Sequence, residues 1–228
     1  MPIKIRVHLA ASIFVAALLS TFAFAQALKF EVTVSPQLST QPVDGRLFVI
    51  LGKSERPEPR QGAGRTGMNS PPIFARDVKG LTAQTAGTID AACVAFPLNG
   101  LNDVKPGEYF VQAVLDTNLD IKNLNAPGNL YSKPVTLQLD PAKSGVVKLQ
   151  LTEQLPADAL PPETELVKFV KLKSELLSKF WGRPIYLRAG VILPRDFAKE
   201  PERRYPVRVH IGGYGSRYTG VQRMMTAG

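Results

Sequence analysis

Apolar and polar residues alternate strictly over Lys29-Phe30-Glu31-Val32-Thr33-Val34, the period-two signature of a strand with one buried face. A second extended run, the apolar stretch Arg46 to Leu51, follows an Asp44-Gly45 turn. Further extended runs cover Ile73 to Val78, Thr88 to Phe96, Tyr109 to Leu115, Val135 to Leu139 and Val146 to Leu151. Pro36, Pro42, Pro71-Pro72, Pro97, Asn99-Gly100, Pro106-Gly107, Pro127-Gly128 and Pro141 punctuate them. Seven short runs without helical periodicity predict an antiparallel β-sandwich over residues 26–151. Ser54 to Ser70 carries no apolar pattern and predicts a long, mobile loop between strands.

Three prolines within residues 152–164 mark a linker. Beyond it the texture changes. Val167 to Leu172 predicts a strand, Ser174 to Phe180 a short helical or irregular turn, and Pro184 to Leu193 a more apolar strand. Pro194-Arg195-Asp196-Phe197 breaks that run. Tyr205-Pro206 then leads into a strand at Val207-Arg208-Val209-His210-Ile211, which enters Gly212-Gly213-Tyr214-Gly215.

The amino terminus predicts export. Lys4 and Arg6 precede an uncharged run from Leu9 to Ala25 that closes on Ala23-Phe24-Ala25, the small-large-small pattern a signal peptidase accepts. A bilayer span needs roughly 20 apolar residues, so residues 1–25 read as a cleavable signal peptide, with a retained N-terminal anchor as the alternative. The destination is periplasmic or secreted. No later apolar run has that length, and no membrane partner is expected after cleavage.

The apolar fraction of 44% and charged fraction of 21% are those of a globular chain. Cys93 is the only cysteine, so no intrachain disulfide can form, and its apolar neighbours Ala91 to Phe96 predict a buried, inert thiol. The formal charge of +9 is spread along the chain. With no basic helix and no aromatic platform between the bases, nucleic acid is not an expected partner.

Two segments carry a resemblance. Arg188-Ala189-Gly190-Val191-Ile192-Leu193-Pro194-Arg195-Asp196-Phe197 and Arg204-Tyr205-Pro206-Val207-Arg208-Val209-His210-Ile211-Gly212-Gly213-Tyr214-Gly215 follow one another in the order found in exported esterases of the α/β-hydrolase superfamily, which residues 165–228 resemble. The run Gly107 to Asp116 resembles a strand and loop end of bacterial Ig-like or transthyretin-like modules. The implied fold is mainly β: an antiparallel β-sandwich followed by the first strands of an incomplete α/β-hydrolase domain. In that family the loop after this last strand helps build the oxyanion hole. The resemblance makes Gly213 and Tyr214 the oxyanion-hole candidates, with His210, Gly212 and Gly215 shaping the loop. The family more often has Gly directly after the His, where this chain has Ile211. The plain alternative is a glycine-rich turn without chemistry.

No catalytic residue of the triad is present. An α/β-hydrolase needs Gly-x-Ser-x-Gly at a strand-to-helix turn, and Ser216 has Tyr214 two before it and Tyr218 two after. His210 does not take the base's place, because that base follows the nucleophile in the family. The expectation is the N-terminal portion of an exported esterase or serine hydrolase, inactive alone, whose full form would take a small ester or carbohydrate ester. The alternative is an exported β-sandwich binding module, for a carbohydrate or surface partner, with a hydrolase remnant. Asp116-Thr117-Asn118-Leu119-Asp120 opens like a calcium loop, but Ile121 and Pro127 stand where Gly and Glu are required. No metal, phosphate-loop or dinucleotide pattern occurs, and no cofactor is expected.

Overall fold

The computed structural model describes residues 27–64, 70–213 and 215–225; the signal-peptide reading of residues 1–25 lies outside them. The protein is mainly β, with several antiparallel sheets. In chain order come β1 (Lys29–Val34), β2 (Val43–Gly52), the short helix α1 (Pro59–Gly62), β3 (Ile73–Leu81), β4 (Gly87–Ile89), β5 (Val94–Phe96) and β6 (Gly107–Asp116). There follow β7 (Leu130–Tyr131), β8 (Val135–Leu139), β9 (Val146–Leu151) and β10 (Glu153–Gln154). Past the proline-rich stretch lie β11 (Val167–Lys173), α2 (Glu175–Trp181), β12 (Tyr186–Ile192) and α3 (Gln222–Met225).

Two sheets share one core. The smaller has the order β4-β1-β9 and the larger β10-β7-β6-β2-β3-β5, with β8 pairing the free stretch of β6 beside β7. The alternation of β1 buries Phe30, Val32 and Val34 and leaves Lys29 and Glu31 outside, joined by a 2.8 Å ion pair. Leu47, Val49 and Leu51 of β2 meet them from the larger sheet, with Phe74, Val111, Ala113 and Leu115. Side chains fully removed from water in this way contribute about 1.5–3 kcal/mol each, which makes this layer the stabilising centre of the β unit.

The structure departs from several of these expectations. The unit is not wholly antiparallel: β1 and β9 run parallel, from Lys29↔Val146 to Val34↔Leu151. Alternation encodes which face is buried, not strand direction. The run Thr88 to Phe96 divides into β4 and β5, because Asp90 Oδ1 accepts the Ala92 N–H at 2.9 Å and the Cys93 N–H bonds back to the Asp90 carbonyl. That Asx turn reverses the chain. The stretch expected as an unpatterned loop contains α1, which buries Pro59 and Arg60 against β2 and β6. Hydrogen bonding of the β unit also runs past Leu151: β10 pairs with β7, and the Leu155 N–H reaches the Asn129 carbonyl at 2.9 Å.

Beyond the linker, β11 and β12 form a separate antiparallel two-stranded sheet from Val167↔Ile192 to Lys173↔Tyr186. Helix α2 fills the hairpin turn, with Ser174 Oγ accepting the Leu177 N–H and Gly182 closing it at φ 65, the left-handed C-cap that glycine adopts without strain. The strand expected at Val207–Ile211 does not form. Residues 203–211 have no regular structure, and Val207 and Ile211 are each 88% exposed. A strand exists through its ladder, and among the described residues no neighbour pairs with this one.

Candidate functional site

The loop expected to build an oxyanion hole is a tight turn in the described structure. The Ser216 N–H bonds to the Gly213 carbonyl at 3.0 Å, and Gly215 takes φ 78. A Cβ on Gly212 would lie 2.5 Å from the Ser216 Cβ, so the chain doubles back onto that glycine. His210, Gly212 and Gly213 are exposed; Tyr214 lies outside the described residues. Among the described residues no hydroxyl or carboxylate bonds to His210, and no nucleophile–base pair stands beside the turn.

The turn is tied to the linker from its far side. Arg217 forms an ion pair with Asp158, and Gln222 donates through Nε2 to the Pro162 carbonyl at 2.8 Å. Val221 packs over Gly190, and Phe169 meets Tyr218 edge-to-face with ring centroids 6.0 Å apart. These contacts fix the segment after the glycine cluster against one face of β11–β12.

The best-built polar cluster lies elsewhere, on the outer face of the larger sheet. Gln112 of β6 is fully buried; its Oε1 accepts the Arg60 N–H, and its Nε2 donates to Glu58 Oε2 and to the Ser132 carbonyl, each at 2.9 Å. Arg60 donates to Glu58 at 2.8 Å and to Asn125, and its guanidinium lies 4.4 Å above the Tyr131 ring. Among the described residues no buried side-chain polar atom lacks a partner. A fully satisfied network of this kind fixes a loop onto a sheet and offers no open valence to a ligand. Sequence reasoning missed it. Its trace was a glutamine interrupting the apolar run Tyr109 to Leu115.

The Asp116–Asp120 loop is likewise self-satisfied. Asn118 Oδ1 accepts the Asp120 and Ile121 N–H groups, and Asn129 Oδ1 those of Thr117 and Asn118. Those oxygens are the ones a hard cation would need. Among the described residues no group of three His, Cys, Asp or Glu side chains is placed to hold a metal. Cys93 is half-buried, and that burial pushes its thiol above the ordinary range.

Two further features of the described residues are apolar and open to solvent. A groove of about 610 Å³ runs between β8 and β9, lined by Val135, Leu137, Val146, Val147 and Leu149. The second is the surface of the C-terminal unit. Of twenty large apolar side chains exposed among the described residues, fifteen lie past Leu166. Among the described residues no helix is long and apolar enough to cross a membrane. No family model, curated protein or solved structure matches the chain.

Proposed function

We propose that the chain is the N-terminal portion of an exported serine hydrolase of the esterase kind. In this reading residues 26–151 are an Ig-like sandwich and residues 165–228 contribute the opening strands of the catalytic domain. The observation that carries it is the uncovered apolar surface of the C-terminal unit. Val170, Leu172 and Leu187 share one face of the β11–β12 hairpin and are exposed, and Val207, Val209 and Ile211, apolar at every second position of a segment without regular structure, are exposed as well. Strands with this pattern belong in the interior of a larger sheet. The remainder of that catalytic domain, packed on them, would cover both surfaces and supply the serine, acid and base that this chain lacks.

The resemblance assigns Gly213 and Tyr214 the oxyanion donors, and His210, Gly212 and Gly215 the loop around them. The turn closed by Ser216 would then open or rotate as the domain is completed. The substrate class is a small ester or a carbohydrate ester, and no cofactor takes part. The test is serine-reactive fluorophosphonate labelling of the native product in its source cells, with the mass of the labelled band as readout. A labelled species well above 24.9 kDa supports the reading. A product no heavier than that mass which takes no label overturns it.

A second reading is favoured by one observation. The apolar groove between β8 and β9 would suit a binding module whose β unit acts alone. Limited proteolysis separates the two: rapid loss of everything past residue 165 with an intact β unit supports the module, and a protected C-terminal unit supports the hydrolase.

A further inference from the structure

Charge is divided unequally along this chain. Residues 26–164 hold 13 Lys and Arg against 14 Asp and Glu, a formal charge of −1, whereas residues 165–228 hold 13 against five, a charge of +8. The even spread read from the sequence disappears once the chain is divided at the linker. Much of the excess gathers at one end of the β11–β12 hairpin. Lys171 and Arg188 are directly opposed across the ladder, with Lys171 Nζ 4.4 Å and the Arg188 guanidinium 6.0 Å from the same Tyr186 ring. Like charges facing one another across a ladder are destabilising, and an anion between them removes that cost.

Helix α2 caps the same end. None of its residues is buried, and Phe180 and Trp181 are 78% and 61% exposed beside an exposed Leu176. Its caps hold the helix in shape without tertiary burial. The nearby carboxylates are engaged: Glu175 pairs with Lys173 and Asp120 with Arg183. Lys171, Arg188 and Lys179 remain to face an external anion.

We infer that this hairpin end is a contact surface for an anionic lipid bilayer, with Leu176, Phe180 and Trp181 entering the headgroup boundary and Lys171, Lys179 and Arg188 holding lipid phosphates. Aromatic and leucine side chains backed by lysine and arginine are the composition that seats a peripheral helix in a membrane interface. The expectation of no membrane partner rested on the length of apolar runs, which bears on spanning a bilayer and not on lying against one. The surface is distinct from the apolar hairpin face and the Val207–Ile211 segment that the hydrolase reading would cover.

Trp181 is the only tryptophan, so its fluorescence reports on α2 alone, even though the apolar N-terminal run would itself bind lipid. The full chain is titrated with phosphatidylglycerol–phosphatidylcholine vesicles and with phosphatidylcholine alone. The expected result is a blue shift with the anionic vesicles only, reversed by molar salt. Lys171→Glu or Arg188→Glu weakens that response about tenfold or more, since each basic group near an anionic surface contributes about fivefold and the reversed charge adds repulsion. Phe180→Ser weakens it by about tenfold through lost apolar burial. No shift, an equal shift with neutral vesicles, or an emission already blue in the free chain overturns the inference; the last would mean protein covers α2. An equal shift with soluble polyglutamate would assign the surface to an acidic protein and overturn it too. None of these outcomes depends on whether a serine hydrolase is labelled.

Discussion

Arg183, one residue past the cap of α2, reaches across to Asp120 in the loop after β6 and pairs with it at 2.9 Å. Together with Arg217–Asp158, it ties the hairpin to the β unit and the linker. Partly exposed pairs of this kind are worth about 0.2–1 kcal/mol and are screened by salt. Arg183→Ala is therefore expected to leave the thermal unfolding of the β unit unchanged. Cleavage of the linker by protease should rise up to about fivefold at low ionic strength. In high salt the variant and the parent chain should be cut at the same rate, and a difference that persists there would refute an electrostatic tie.

Gln112 offers a stronger prediction. Its amide serves Arg60, Glu58 and Ser132 at once from a fully buried position. Gln112→Met keeps the volume and strands the Arg60 N–H and the Ser132 carbonyl, at a cost of about 1–3 kcal/mol for each group left unpaired. The urea midpoint of the β unit should fall accordingly, and the segment carrying α1 should become the first site of proteolysis. An unchanged midpoint would mean that water replaces the amide freely.

The elements of the β unit were unequally legible in the sequence. The apolar pattern, strictly alternating over Lys29–Val34 and forming turn-bounded apolar-rich runs over Arg46–Leu51 and Val146–Leu151, located β1, β2 and β9. It could not give the parallel pairing of β1 with β9, since a strand buries the same face in either direction. The Asx turn at Asp90 was written in the sequence as an acid two residues before Ala92, but the apolar stretch around Cys93 concealed it. β7 and β10 span only two residues each and have no period to detect. Val207–Ile211 failed for the opposite reason: its pattern is strong, yet a pattern supplies no partner. Of the candidate site, the glycine cluster was legible as a turn, whereas the Glu58–Arg60–Gln112 network joins residues 54 positions apart that no local signal connects.

Cys93 gives a direct check on the local environment. Burial raises its thiol above the ordinary range, with the Asp90 carboxylate acting in the same direction. Thiolate is the reactive form, so modification by a disulfide reagent should be slow at neutral pH and accelerate continuously into the alkaline range. A denaturant should remove the lag. Fast labelling of the folded chain at pH 7 would contradict the half-buried placement.

Acid stability of the β unit follows from three depressed carboxyls. The Lys29 side chain holds Glu31 below its ordinary value, Arg46 does so for Asp77, and the Ala92 N–H for Asp90. Because the folded values lie lower, the unfolded chain binds protons first as the pH falls. The stabilisation is thus complete above the ordinary values of 4.5 and 3.8 and is lost as pH drops through the folded values. Asp77 is exposed and Glu31 and Asp90 are partly so, and each therefore contributes modestly. The thermal midpoint should stay level down to about pH 5 and then decline. Asp90→Asn, which keeps an acceptor for Ala92 but no charge, should make that decline shallower. A steeper acid limb in the variant would reverse the assigned sign.

Gly190 controls whether the last described segment stays docked. It pairs with Phe169 in the hairpin, and Val221 lies directly over it. An added Cβ would meet Val221 Cγ1 at 2.5 Å, the Tyr218 carbonyl oxygen at 2.6 Å and Val221 Cβ at 2.7 Å. Two of these are held by the backbone, so a rotamer change cannot relieve them, and overpacking of this sort typically costs about 1–3 kcal/mol. Gly190→Ala should therefore lift residues 218–225 from the sheet while β11 and β12 remain paired. Trypsin cleavage at Arg217 and Arg223 is the readout and should rise severalfold. Val221→Ala removes the Cγ1 contact but leaves the carbonyl and the Cβ in place. Adding it to Gly190→Ala should restore protection only in part. Full rescue by the second substitution would mean that the side chain alone, and not the close approach of the Tyr218 backbone, requires glycine here.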